Sequence, residues 1–230
     1  MALFTISDLH LPLGISKPMD IFGSEWDNYV EKLEKNWQAI VNRDDVVVLP
    51  GDFSWASYLE EAKRDFEFLE GLNGKKIILK GNHDYWWTTK NKMDNYLKDN
   101  NFESIKILHN DTFMYENIAI CGNRGWNLIL ENDEDEKIYK REIIRLELSL
   151  KEAAAKNPEE ILVFTHFPPV GETIKDNEFT RLLEKYNVKK CFYGHLHGES
   201  KRFAKEGEIN GTEYRLVSSD YRKFVPYKII

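Results

Sequence analysis

Cysteine is nearly absent: Cys121 and Cys191 are the two in 230 residues. Both sit in apolar stretches, so buried thiols are expected rather than a disulfide, which fits a reducing cytoplasm. Long hydrophobic runs are missing as well. No stretch approaches the roughly 20 apolar residues that span a bilayer, and the opening residues meet Asp8 and His10 too early for a signal peptide. Positive charge is in deficit, with Asp+Glu at 39 against Lys+Arg at 32 and a formal net charge of −7. That argues against a nucleic-acid reader, which neutralises phosphates along a basic face. A small phosphorylated substrate stays open, because metal ions could supply the positive charge. Internal repeats, low-complexity segments and linkers are lacking too, so one domain over residues 1–230 is expected. The chain reads as soluble and cytoplasmic, without a membrane or nucleic-acid partner.

What is present is a rhythm. Hydrophobic residues at 42% and aromatics at 13% allow a sizeable core. Short apolar runs over residues 2–6, 45–49, 76–79, 161–164 and 190–193 read as strands, and the run 76–79 has the length and β-branching of a buried one. Between them lie helical stripes: Trp26, Val30, Leu33, Trp37 and Ile40; Leu59, Ala62, Phe66 and Leu69; Tyr139, Ile143, Leu146, Leu150 and Ala153; then Phe179, Leu182, Leu183 and Tyr186. Ser24 and Asp27 resemble a capping box for the first of these. The acidic run 131–135 reads as favourable charge at the start of the long helix. Residues 105–108, 112–115 and 118–121 predict further short strands, and the tail from 213 onward has strand-like pieces. Residues 11–22, with Pro12, Gly14 and Pro18, form a loop long enough to lie over a site.

The five principal strands share one property. Each ends in a tight turn carrying histidine, aspartate or asparagine: Asp8 and His10; Asp52; Asn82, His83 and Asp84; His166; His195 and His197. Five of the six histidines fall in this set, His109 being the exception. Histidines satisfied singly in a core would not sort themselves by strand end. Ligand sites of α/β proteins lie beyond the carboxyl ends of the strands. Carboxylate, imidazole and amide together suit first-row metals such as manganese, iron or zinc. A thiolate zinc site is disfavoured, since neither cysteine is at a strand end. In extended backbone, residues i and i+2 point the same way, so Asp8 with His10 and His195 with His197 could each face one metal region.

Taken in order, Asp8-Leu9-His10, Gly51-Asp52, Gly81-Asn82-His83-Asp84, His166 and Gly194-His195-Leu196-His197 resemble the motif set of calcineurin-like metallophosphoesterases. The likeness runs from Asp8 to His197. It implies an α/β fold, a four-layer αββα sandwich of two mixed β-sheets flanked by helices. It also implies a metal pair, one ion held by Asp8, His10, Asp52 and His197 and the other by Asp52, Asn82, His166 and His195, with Asp52 bridging. The expected activity is phosphoester hydrolysis, as phosphatase or phosphodiesterase, by in-line attack of a metal-activated hydroxide. Asn82 and His83 would contact the phosphoryl group. His83 would also protonate the leaving oxygen, and Asp84 would orient His83. A nuclease of the same superfamily and a non-catalytic metal-binding scaffold are the alternatives.

The likeness thins around the second and third motifs. Protein Ser/Thr phosphatases of the superfamily extend the second motif with Asp-Arg-Gly and place Glu after the Asn-His pair. Here Phe53-Ser54-Trp55 and Asp84 stand in those places, which favours a small substrate over a phosphoprotein. Arg124, in a turn after a strand, could grip phosphate oxygens bidentately; a surface arginine in a turn is the alternative. Trp86, Trp87 and Trp126 read as packing under loops more readily than as a stacking platform. His109 reads as a turn or core residue, and nothing in the sequence requires Ser218, Ser219 or Asp220 at the site.

Overall fold

A computed structural model describes residues 1–17, 19 and 23–230. Among these, eleven strands form two sheets. In the first, β1 (Leu3–Thr5), β2 (Val46–Pro50), β3 (Lys75–Leu79) and β4 (Ile105–Ile107) run parallel. The short β11 (Tyr227–Lys228) closes its edge antiparallel to β1. In the second, β6 (Ile118–Asn123), β7 (Glu160–Thr165), β8 (Lys190–Tyr193) and β10 (Thr212–Leu216) are parallel. Antiparallel β5 (Thr112–Tyr115) and β9 (Gly207–Ile209) flank them. Both sheets are therefore mixed.

The central parallel strands β2, β3, β7 and β8 are largely buried on both faces because both faces are covered. Leu3, Val48, Ile77 and Leu79 of the first sheet meet Ile120, Leu162, Phe164 and Phe192 of the second between the sheets. The alternate residues Phe4, Val47, Leu49 and Ile78 face α1 (Tyr29–Ile40), α2 (Lys63–Gly71) and α3 (Lys90–Asp99). On the far side, Ala119, Cys121, Val163 and Cys191 pack under α4 (Asp133–Ala155) and α5 (Glu178–Lys185). The order is helix, sheet, sheet, helix, as expected. Both cysteines are free and buried. Among the described residues no helix is long and apolar enough to cross a membrane.

Two local expectations change. Ser24 makes no cap: residues Ser24–Trp26 form a single 3-10 turn, and α1 starts at Tyr29 after Asn28 in the left-handed region. Trp26 is buried all the same, edge-on to Tyr29 and Phe224. That apolar contact, not a polar cap, directs the chain into α1. The second helix begins at Lys63, so Leu59 and Ala62 pack from the turn before it. In the expected loop over residues 11–22, residues 18 and 20–22 lie outside the described ones. The acidic run, by contrast, starts α4 as expected, with Asn132 accepting the amides of Glu134 and Asp135.

The parallel strands bring their carboxyl ends to one side of the sandwich. There the two sheets are joined by main chain. The Ser7 amide donates to the Val217 carbonyl at 2.9 Å, and the Ser219 amide donates to the Ser7 carbonyl at 2.9 Å. The tail thus reaches the strand ends and fixes one sheet against the other.

Candidate metal centre

Four of the nine strand-end residues expected at the site sit in left-handed backbone: Asp8 (φ 57°), His10 (φ 47°), Asp52 (φ 53°) and His195 (φ 71°). Asp, Asn and His tolerate that region better than other side chains, yet each instance carries strain that the surroundings must hold. The effect is to turn the chain sharply off each strand so that side chains converge rather than alternate.

Glycine makes the convergence possible. A Cβ on Gly51, which has φ +86°, would stand 2.6 Å from Gly81 Cα and 2.8 Å from His166 Nδ1. One on Gly194 would stand 2.6 Å from Asp8 Oδ2. Backbone passes where a side chain would have to be.

The structure brings all nine residues together. His10 and His197 lie with ring centres 5.1 Å apart, His10 and His83 at 5.7 Å, and His166 and His195 at 5.1 Å. Asp52 Oδ2 lies between the two halves, 3.7 Å from His10 Nε2 and 3.4 Å from His166 Nε2. Ligand atoms converge in two trios that could each hold an ion: Asp8, His10 and His197, and Asp8, Asp52 and His166. Asp8 belongs to both, so it shares the central position with Asp52.

Supports come from far along the chain. Asp8 Oδ2 accepts from Ser7 Oγ at 2.5 Å and from the His195 amide at 3.0 Å. The Asp8 and His10 carbonyls accept from Ser219 Oγ at 2.7 Å and Tyr29 Oη at 2.6 Å. The Trp55 ring stacks on His10 at 4.5 Å and leans on His83 at 4.6 Å, with Lys17 Nζ 3.2 Å above it. None of Ser7, Tyr29, Trp55 and Ser219 is predicted as part of the site, because none carries a local signal.

The electrostatics ask for a cation. Asp8, Asp52 and Asp84 are all fully buried. Burial, then the charges of Asp84 and Asp8, push the Asp52 carboxyl well above its ordinary range. Burial pushes the imidazoles down: His10 well below its usual value, His83 and His195 to about 4, and His166 to about 3. A neutral imidazole beside a carboxylate is the form that binds metal. Neither ring nitrogen of His10 has a partner among the described residues, nor does Asp52 Oδ2. His166 Nδ1 faces the Pro50 carbonyl at 3.0 Å, so its N–H is spent there and Nε2 carries the lone pair. That lone pair looks at Asn82 Oδ1 (2.6 Å) and His195 Nδ1 (3.3 Å). Acceptors converging on acceptors in a buried pocket are costly without a positive ion. The residues fit a metal pair.

Two expectations change. The Asp84 carboxylate does not reach the His83 ring. Its Oδ2 accepts the amides of Asp52 (2.9 Å) and Gly81 (2.7 Å), and its Oδ1 those of Phe53 (2.9 Å) and Ser54 (3.3 Å) and Trp86 Nε1 (3.0 Å). Burial raises its pKa while these donors oppose the rise. Asp84 therefore shapes two turns, and His83 Nδ1 is buried without a partner among the described residues. Arg124 is likewise turned away from the expected role. Its side chain is 15% exposed, with the guanidinium 3.6 Å from the buried Glu142 and 4.5 Å above the Trp126 ring. Its carbonyl, however, accepts the amides of His166 (3.1 Å) and Phe167 (2.8 Å), which positions the His166 turn.

The remaining aromatics pack as expected, Trp86 and Trp87 against each other and Trp87 against His109. Asp220 binds Lys201 and the Gly198 amide, holding the turn after His197.

Comparison with known proteins agrees with this geometry. The family model described as calcineurin-like phosphoesterase matches residues 1–199. No curated protein sequence matches the chain. Among solved structures, the Thermus thermophilus protein TT1561 superposes with a TM-score of 0.62 at 12% identity, covering 98% of this chain and 96% of its own. The phosphopantetheinyl hydrolase of Mycobacterium tuberculosis gives a TM-score of 0.54 at 14% identity, with 100% and 95% covered. A protein of unknown function from Aquifex aeolicus, AQ665, gives 0.51 at 16% identity, with 99% and 95% covered. These likenesses concern the fold. With the family model covering most of the sequence, this chain belongs to the calcineurin-like phosphoesterase family.

Proposed function

We propose that the protein is a dinuclear metal-dependent hydrolase of small phosphoesters. One ion would be held by Asp8, His10, Asp52 and His197, the other by Asp52, Asn82, His166 and His195. The observation that carries this reading is the meeting of metal-ligating atoms in a buried centre: among the described residues Asp52 Oδ2 and His10 Nε2 have no hydrogen-bond partner and lie 3.7 Å apart, with His166 Nε2 3.4 Å from the same Asp52 oxygen. Bound there, a pair of metal ions supplies Lewis-acid charge for a phosphoryl group and acidifies water near neutral pH.

The chain's own residues do the rest. Asn82, in the turn after β3 with its Oδ1 beside His166 Nε2 and His195 Nδ1, would contact a phosphoryl oxygen as well as the second ion. His83, half-buried beside Trp55, would contact the phosphoryl group and the leaving oxygen through its ring. Asp84 positions His83 through the backbone. Trp55 and the buried walls keep bulk water from these groups, which strengthens every charge interaction inside.

The test is hydrolysis of p-nitrophenyl phosphate and bis-p-nitrophenyl phosphate by metal-stripped protein with manganese, iron or zinc restored in turn. A phosphopantetheinyl ester belongs in the same series, given the Mycobacterium tuberculosis hydrolase of this fold. Metal-dependent turnover that falls at least ~100-fold in Asp52→Asn and His83→Ala supports the reading. Two bound ions without turnover would leave a metal-binding scaffold instead.

A further inference from the structure

A cleft of about 450 Å³ opens beside the His195 ring, within the range of small-molecule sites. Phe167 is the shared wall. Its ring centre lies 4.2 Å from that of His195 and 5.2 Å from that of Trp126. Leu128, Val170, Ile174 and Leu196 continue an apolar lining from there. At the mouth, Ile129 and Phe203 are 72% and 51% exposed, and the neighbouring Leu130 is exposed too. A contiguous apolar patch held in water beside a reactive centre marks a binding surface.

The charges of the cleft narrow what it takes. Glu131 and Glu172 line it, and no lysine or arginine does among the described residues. Glu172 is answered by Lys205 from outside, at 3.1 Å. Arg124, stacked on Trp126, is directed to Glu142. Arg202, 4.8 Å above the Phe203 ring, is a cation at the rim; inside the cleft a second phosphate or a nucleic-acid strand would meet apolar side chains and carboxylates. We propose that this cleft receives the organic group of the phosphoester substrate, and that this group is uncharged and largely apolar. The proposal rests on the hydrolase reading above and names its substrate class: a soluble amphiphilic phosphoester rather than a nucleotide.

The experiment compares ethyl, butyl, hexyl and octyl phosphate as substrates of the manganese-loaded protein, with AMP and a single-stranded oligonucleotide beside them. The expected result is a kcat/KM that rises roughly two- to fourfold per added methylene, the range that burial of a CH2 allows. In Ile129→Asp and Phe203→Ser the rise flattens. An unchanged kcat/KM along the series, or a preference for AMP or the oligonucleotide, overturns the proposal. If no ester is hydrolysed, it is the hydrolase reading that fails, and calorimetric titration of octylphosphonate into the protein decides the cleft. Binding that Ile129→Asp weakens at least tenfold keeps it as an amphiphile site; no binding removes it.

Discussion

Asp52 and Asp84 hold each other's turns. The Asp84 carboxylate accepts the Asp52 amide at 2.9 Å, while the Asp52 carboxylate accepts the amide of His83, the residue before Asp84, at 2.8 Å. Neither turn has regular secondary structure to satisfy its amides, so the two carboxylates do that work. The exchange locks the end of β2 to the end of β3 at the point where three site residues emerge.

Asp84→Ala strips acceptors from four buried amides and the Trp86 indole at once. A loss of roughly 3 kcal/mol or more is expected, since each buried donor left unpaired costs about 1–3 kcal/mol. Urea unfolding of the metal-free protein measures it. A variant as stable as the parent would show that Asp84 serves His83 alone.

Gly51→Ala places a methyl group against Gly81 Cα at a φ of +86°. The expected cost is about 2 kcal/mol, with metal affinity falling as well because Asp52 follows directly. Thermal melts with and without manganese separate the two effects. An unchanged melt would mean that the turns can part without loss.

Metal removal has a stability signature. Manganese restored to stripped protein at 100 times its dissociation constant adds about 2.7 kcal/mol. His10→Ala, which removes two unpartnered ring nitrogens from the centre, reduces that gain. Equal gains in parent and variant would place the ion elsewhere.

Asp65 on α2 links the helix to the Asp52 turn, accepting from Ser54 Oγ at 2.5 Å and the Leu13 amide at 2.8 Å. Burial raises its pKa to about 6, from 3.8. Between those values the folded chain binds the proton and the unfolded chain does not. Its contribution to stability is therefore complete below about pH 4 and is lost as pH rises through 6, by up to about 3 kcal/mol. Asp65→Asn should flatten the pH 4–7 slope of unfolding free energy. A slope identical to that of the parent would refute the assignment.

The local part of this protein was legible from its residues. Strands β2, β3, β7 and β8 are short apolar runs, and the Asp, Asn and His that follow them are read at the same glance. Strand length, helical stripe and motif spacing are properties of neighbours in sequence; the sandwich and the grouping of the nine residues were expected from the family resemblance that the ordered motifs carry. The capping box at Ser24 failed for the same reason in reverse: Trp26 packing on Tyr29 and Phe224 outweighed a local polar cap.

Tertiary structure decided what each side chain faces. Asp84 could have turned to His83, and amides some thirty residues away took it instead. Arg124 could have faced a phosphate, and the buried Glu142 on α4 claimed it. Ser219 supports Asp8 across 211 residues, and the apolar cleft is assembled from segments near 128, 170 and 203 that share no pattern. A side chain goes to the partner that best repays its desolvation, and in a sandwich closed by long crossovers that partner is distant in sequence.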